Sequence, residues 1–146
     1  MNALITGGGR GIGRAVALRL AANGWNVAIS SRSPDELAET VELAGGKMLA
    51  ITADVTSESD VQQMVERTEK EFGSIDLLVN NAGVSGSAEQ DLYSTVAWNR
   101  IMAINATGPF FGMKHAIPAI KAAGGGSIVN LSSIAGIIGS VGIHMA

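Results

Sequence analysis

Hydrophobic and polar positions follow two rhythms along this chain. Short runs that are apolar at successive positions and closed by glycine, asparagine or serine alternate with longer stretches whose apolar residues recur every three or four positions. The run NALIT, Asn2 to Thr6, predicts a strand. Ile12 to Ala22, with Ile12, Ala15, Val16, Arg19 and Leu20 at helical spacing, predicts a helix that ends at Asn23-Gly24. NVAIS is a second strand. Ser33-Pro34-Asp35-Glu36 opens a second helix with an N-cap serine, proline at the first helical position and glutamate in capping-box register, and Gly45-Gly46 closes it. KMLAITA is a third strand. Thr56 or Ser57 then caps a helix with Val61, Met64, Val65, Thr68 and Phe72 on one face, ended by Gly73. IDLLVN is a fourth strand; a long helical stretch from about Leu92 to Ala122, interrupted near Gly108-Pro109, leads to a fifth, GSIVNLS.

Strands that are apolar on both faces and joined through helices form a parallel sheet, because each crossover helix covers a face that water would otherwise touch. The expected fold class is α/β, a doubly wound parallel sheet with helices on both faces. Ligands of such sheets bind beyond the carboxyl ends of the strands, where the strand order reverses. Each notable motif of this sequence falls at such an end.

Composition narrows the chemistry. The 146 residues suit a single domain, 1–146, with 47% hydrophobic residues and few aromatics. Ten Lys and Arg against thirteen Asp and Glu give a net charge of −3 without charge blocks, so neither nucleic acid nor an anionic membrane is an expected partner. With no cysteine and only His115 and His144, no metal site is expected. No segment approaches the roughly 18 uninterrupted apolar residues of a membrane span, and no charged leader precedes NALIT; a soluble, cytoplasmic protein is expected. Lys114 and His115 read as surface groups, Met102, Met113, Phe110 and Phe111 as core or subunit contacts, and Asp35-Glu36 and Glu58-Asp60 as helix-dipole partners without chemistry.

TGGGRGIG, Thr6 to Gly13, joins the first strand to the first helix. Glycines there let backbone N–H groups approach a ligand, and the helix N-terminus adds about half a positive charge, so phosphate is the natural guest; the alternative is a tight turn without a ligand. A Walker A loop would need Lys and then Ser or Thr after the last glycine, but Arg14-Ala15 follow Gly13. The fingerprint G-x-G-x-x-G fails too, since its last position is Ile12 or Val16.

The spacing that fits is T-G-x-x-x-G-x-G. It is followed in order by ADV (Ala53 to Val55), NNAG (Asn80 to Gly83), Asn105 in INATG, and GSIVNLSS (Gly126 to Ser133). With these motifs the chain resembles the short-chain dehydrogenase/reductase family, of the 3-oxoacyl-reductase and hydroxysteroid-dehydrogenase kind, and the resemblance implies a Rossmann fold. It implies that Gly7, Gly11 and Gly13, with Ile12 among them, cradle a pyrophosphate, that Asp54 and Val55 contact adenine, and that Asn81, Ala82 and Gly83 line the coenzyme cleft. The family's NAD-selective members carry aspartate after the second strand, whereas this chain reads Ser30-Ser31-Arg32. Arg32, helped by Arg10, then suits a 2′-phosphate, so NADP(H) is the expected coenzyme; NAD(H) stays open, as does a pair of merely solvated arginines.

The same resemblance assigns the catalytic positions to Ser133, which would hydrogen-bond the substrate's carbonyl or alcohol oxygen, and Asn105, which would position a water. A tolerated interior asparagine is the alternative for Asn105. The family's Y-x-x-x-K motif is expected at or just past Ala146. Tyr93, the only tyrosine, reads as packing or interface, and His144 as a solvated loop residue near the substrate mouth. The expectation is therefore a piece of a longer enzyme, without the family's C-terminal strands and helices, whose fifth strand has an uncovered face and an unpaired edge. The full-length protein is expected to be a dimer or tetramer that moves hydride between NADP(H) and a small carbonyl or secondary alcohol. 3-Oxoacyl thioesters, hydroxysteroids, sugars and simple alcohols all stay open as substrates. A non-catalytic nucleotide-binding module is the other reading.

Overall fold

The computed structural model describes residues 1–85 and 94–134; Tyr93 and His144 lie outside the described residues. Five parallel strands form one sheet: β1 (Asn2–Thr6), β2 (Asn26–Ser31), β3 (Met48–Thr52), β4 (Leu77–Asn80) and β5 (Ser127–Asn130), in the order β3-β2-β1-β4-β5. The helices are α1 (Gly11–Ala22), α2 (Pro34–Leu43), α3 (Glu58–Phe72), α4 (Thr95–Met102) and α5 (Gly108–Ala122). The fold is the doubly wound α/β sheet of the Rossmann type.

Burial follows strand position. β1, in the centre, is buried at all five residues, whereas β5, at one edge, is mostly exposed. Two apolar clusters lie on opposite faces of the sheet. Leu4, Ala28, Ile51 and Leu78 pack with α3 and α5 through Val61, Met64, Ala116 and Ile120; Ile5, Val27, Ile29 and Val79 pack with α1 and α2 through Ala17 and Leu37. Alternation along each strand assigns successive side chains to opposite clusters, which is why the strands read as unbroken apolar runs.

The long helical stretch is α4 and α5 joined by a five-residue π turn, Ala103–Thr107, so the interruption expected near Gly108-Pro109 lies immediately before it. A register change by one residue leaves no signature in composition, and Pro109, at the first turn of α5, needs no break. Other details change. In α1 the buried stripe runs through Gly13 and Ala17 with Val16 and Leu20 half-buried, while Ile12 is 65% exposed and Ala15 and Arg19 face outward. At α2, Ser33 Oγ accepts from Glu36 N (3.3 Å), but the capping box is not closed: Ser33 N donates to Ser31 Oγ (3.2 Å), and the Glu36 carboxylate turns toward Arg10. Ser57, not Thr56, caps α3, accepting from Asp60 N. Among the described residues no helix is long and apolar enough to cross a membrane.

Candidate functional site

The strand order reverses between β1 and β4, and a crevice of about 480 Å³ opens at the carboxyl ends of the strands there. The loop from β1 into α1 forms one wall through Gly7, Gly9, Arg10, Gly11 and Ile12. The loops after β2, β3 and β4 supply Ser31 and Arg32, then Asp54 and Val55, then Asn81, Ala82 and Gly83.

Backbone geometry accounts for the glycines. Gly7 has φ +68°, a region L side chains rarely adopt. Gly13 does not line the crevice: it is buried beneath the loop, where a Cβ would fall on the Gly7 carbonyl oxygen and Asn81 Nδ2. Its role is close helix-to-loop approach. The helix that starts here has Arg10 as N-cap with no side-chain hydrogen bond and no acid in its first turn, whereas α2, α3 and α4 are capped by Ser33, Ser57 and Ser94. The first N–H groups of α1 are therefore left without a side-chain acceptor beside the crevice.

Two side chains bind the loops to each other. Thr6 Oγ1 accepts from Asn81 N and Ala82 N, both at 3.0 Å, and Asn81 Nδ2 donates to the carbonyls of Thr6 (2.9 Å) and Gly7 (3.3 Å). The Asn81 amide is thus a brace between the β1 and β4 loops. Asn105, on the π turn, pairs at both ends with Val84: Oδ1 accepts from Val84 N (2.9 Å) and Nδ2 donates to Val84 O (2.8 Å). Val84 and Ile104 line the crevice, and Asn105, whose amide is taken up by Val84, does not. Ser133, exposed just past β5, lies outside the walls of this cavity.

Several wall residues carry no motif. Glu36 lines the crevice from the first turn of α2, and Ser30 Oγ is buried in the wall without a hydrogen-bond partner among the described residues. Arg14 braces the loop from outside: Nε and Nη2 both donate to the Gly9 carbonyl, and Nη2 also donates to Glu39 Oε2 at 2.7 Å. That guanidinium holds the Glu39 carboxyl below its usual range. The third wall depends on Asp60, whose Oδ2 accepts from Asp54 N (3.0 Å) and whose Oδ1 accepts from Ser57 Oγ (2.8 Å). The Asp54 amide, and then the Ser57 hydroxyl, lower the Asp60 pKa. Glu58 is likewise lowered, by Lys114 Nζ at 2.6 Å and His115 Nε2 at 3.0 Å. These two contacts give Lys114 and His115 a role between α3 and α5 that a surface reading misses.

The model of the short chain dehydrogenase family matches residues 1–145. The chain belongs to the short-chain dehydrogenase family. This short-chain dehydrogenase chain is 43% identical over 139 residues to an uncharacterized oxidoreductase of Thermotoga maritima, covering 93% of this chain and 55% of the relative. It is 39% identical over 141 residues to the cyclohexanol dehydrogenase of an Acinetobacter species, covering 94% and 56%. Among solved structures, levodione reductase superposes with a TM-score of 0.88 at 34% identity, covering 99% of this chain and 58% of that one. The chain thus spans about half the length of the curated relatives it matches.

Proposed function

We propose that the full-length protein is an oxidoreductase that moves a hydride between NADP(H) and a small carbonyl or secondary alcohol. The observation that carries this reading is the uncapped start of α1, opened by the glycine loop onto a crevice at the reversal of strand order. A diphosphate suits those unmatched N–H groups. In this reading Gly7, Gly11, Ile12 and the amides of α1 hold the pyrophosphate, while Asp54 and Val55 take the adenine side. Arg10 and Arg32, with Ser31 in place of an acid, hold a 2′-phosphate; Asn81, Ala82 and Gly83 line the middle of the cleft.

When bound, the nicotinamide ring supplies or takes up the hydride. Ser133 hydrogen-bonds the substrate oxygen and stabilises negative charge that builds on it. Asn105 positions the wall through Val84 and takes the water-positioning role that the family resemblance implies. Relatives named for cyclohexanol and levodione support a carbonyl or alcohol as the substrate class. The 146 residues make up one coenzyme-binding domain, and the full-length protein works as a dimer or tetramer. The test is nicotinamide absorbance with a panel of ketones and secondary alcohols. Turnover with NADPH that falls at least about 100-fold in Ser133→Ala supports the reading. Coenzyme binding with no turnover on any substrate would leave a nucleotide-binding module instead.

A further inference from the structure

At the β2 end of the crevice, where Ser30-Ser31-Arg32 supplies no acid, an acidic side chain enters from another element. Glu36 comes from the first turn of α2, and its Oε1 lies 3.6 Å from Arg10 Nε. Its position is fixed by the loop. A Cβ at Gly9 would stand 2.9 Å from Glu36 Cβ and 3.0 Å from Ser31 Oγ, so the absent side chain lets the two converge on the loop. Thr40 Oγ1 fastens that turn, being within hydrogen-bond distance of the carbonyls of Gly8 (3.2 Å), Gly9 (3.1 Å) and Glu36 (3.0 Å). Both partners of the ion pair are solvent-accessible, at 79% for Arg10 and 40% for Glu36, so a ligand can take either one from the other.

We propose that Glu36 is a coenzyme-selectivity residue: its carboxylate competes with a 2′-phosphate for Arg10 and so limits the preference for NADP(H) over NAD(H). The inference rests on the reading of the crevice as a nicotinamide-coenzyme site. A phosphate dianion brought between Arg10 and Arg32 meets two positive charges and one negative charge. It must displace the carboxylate from Arg10 and then remain beside it. A ligand with an unmodified ribose meets neither cost.

The test compares the full-length protein with its Glu36→Gln variant by calorimetric titration of adenosine 2′,5′-bisphosphate and 5′-AMP, two probes that differ only in the 2′-phosphate. Glu36→Gln should bind the bisphosphate about threefold to tenfold more tightly at low salt and 5′-AMP within about twofold of the parent. The gain should shrink in 0.5 M salt, at roughly three times the ionic strength of cells. The NADPH-to-NADH affinity ratio should rise by the same factor. Unchanged or weaker bisphosphate binding in the variant, with 5′-AMP still bound, would overturn the proposal while leaving the coenzyme reading in place. Loss of 5′-AMP affinity in the variant would also overturn it, assigning Glu36 to the ribose hydroxyls instead. If the parent binds neither probe nor either coenzyme, the crevice reading itself fails and takes this inference with it.

Discussion

Thr6 is buried and its hydroxyl accepts from two backbone amides of the β4 loop, so a single methyl-for-hydroxyl exchange separates fold from site. Thr6→Val keeps the shape and leaves the Asn81 and Ala82 N–H groups without that acceptor, which should cost about 1–3 kcal/mol in urea unfolding. Thr6→Ser should recover most of it. At Gly13 the constraint is steric: Gly13→Ala forces a methyl onto the Gly7 carbonyl and Asn81, with an expected loss of about 1–3 kcal/mol and weaker coenzyme binding by titration. The glycines were legible because their spacing is a motif. Glu36 and Arg14 were not, since each acts through a partner on another element: Arg10 for the first, the Gly9 carbonyl and Glu39 for the second. Local sequence around Asp35-Glu36 shows only two acids in a first turn, which is an ordinary helix-dipole pattern.

Strands and helices were legible to within a residue or two wherever the apolar rhythm was strong, as in β1, β2 and α3. The π turn was not, because Ala103–Thr107 keeps helical composition while shifting register, and the shift places Asn105 against Val84. Asn105→Ala should therefore loosen the crevice wall, lowering coenzyme affinity more than it lowers the unfolding midpoint. At the start of α3, Asp60 joins helix cap to site by accepting from Ser57 Oγ and Asp54 N. Its folded pKa is depressed from the ordinary 3.8, so its stabilising effect is present above that value and is lost as pH falls below it. Glu58 and Glu39 act in the same direction from 4.5. Stability followed by urea midpoint should thus drop on acidification below about pH 4, and Asp60→Asn should flatten that limb; an unchanged limb in the variant would remove Asp60 from this account.

At the scale of the molecule, most of the exposed large apolar side chains among the described residues lie on α4, α5 and in or just after β5, with Met1, Ile12 and Leu43 elsewhere: Val96, Trp98 and Phe110 are each more than half exposed, and Val129 is 46% exposed. Phe111, by contrast, packs against the α3 and α5 cluster, which separates a core phenylalanine from its exposed neighbour. The α4 and α5 part of that surface suits subunit contact, so light scattering of the full-length protein should report a dimer or tetramer, and Trp98→Glu with Phe110→Glu should shift it toward smaller species. The doubly wound sheet and the position of the crevice were readable from the order of elements alone, because parallel pairing fixes where loops gather. The carboxylate in the crevice wall was not, since α2 carries Glu36 toward Arg10 in a loop that follows a different strand. The most direct measurement is equilibrium titration of the folded full-length protein with NADPH, followed by nicotinamide fluorescence. Saturable binding that is weakened by Gly13→Ala is the predicted result; a correctly folded protein with no affinity for NADPH or NADH would contradict it.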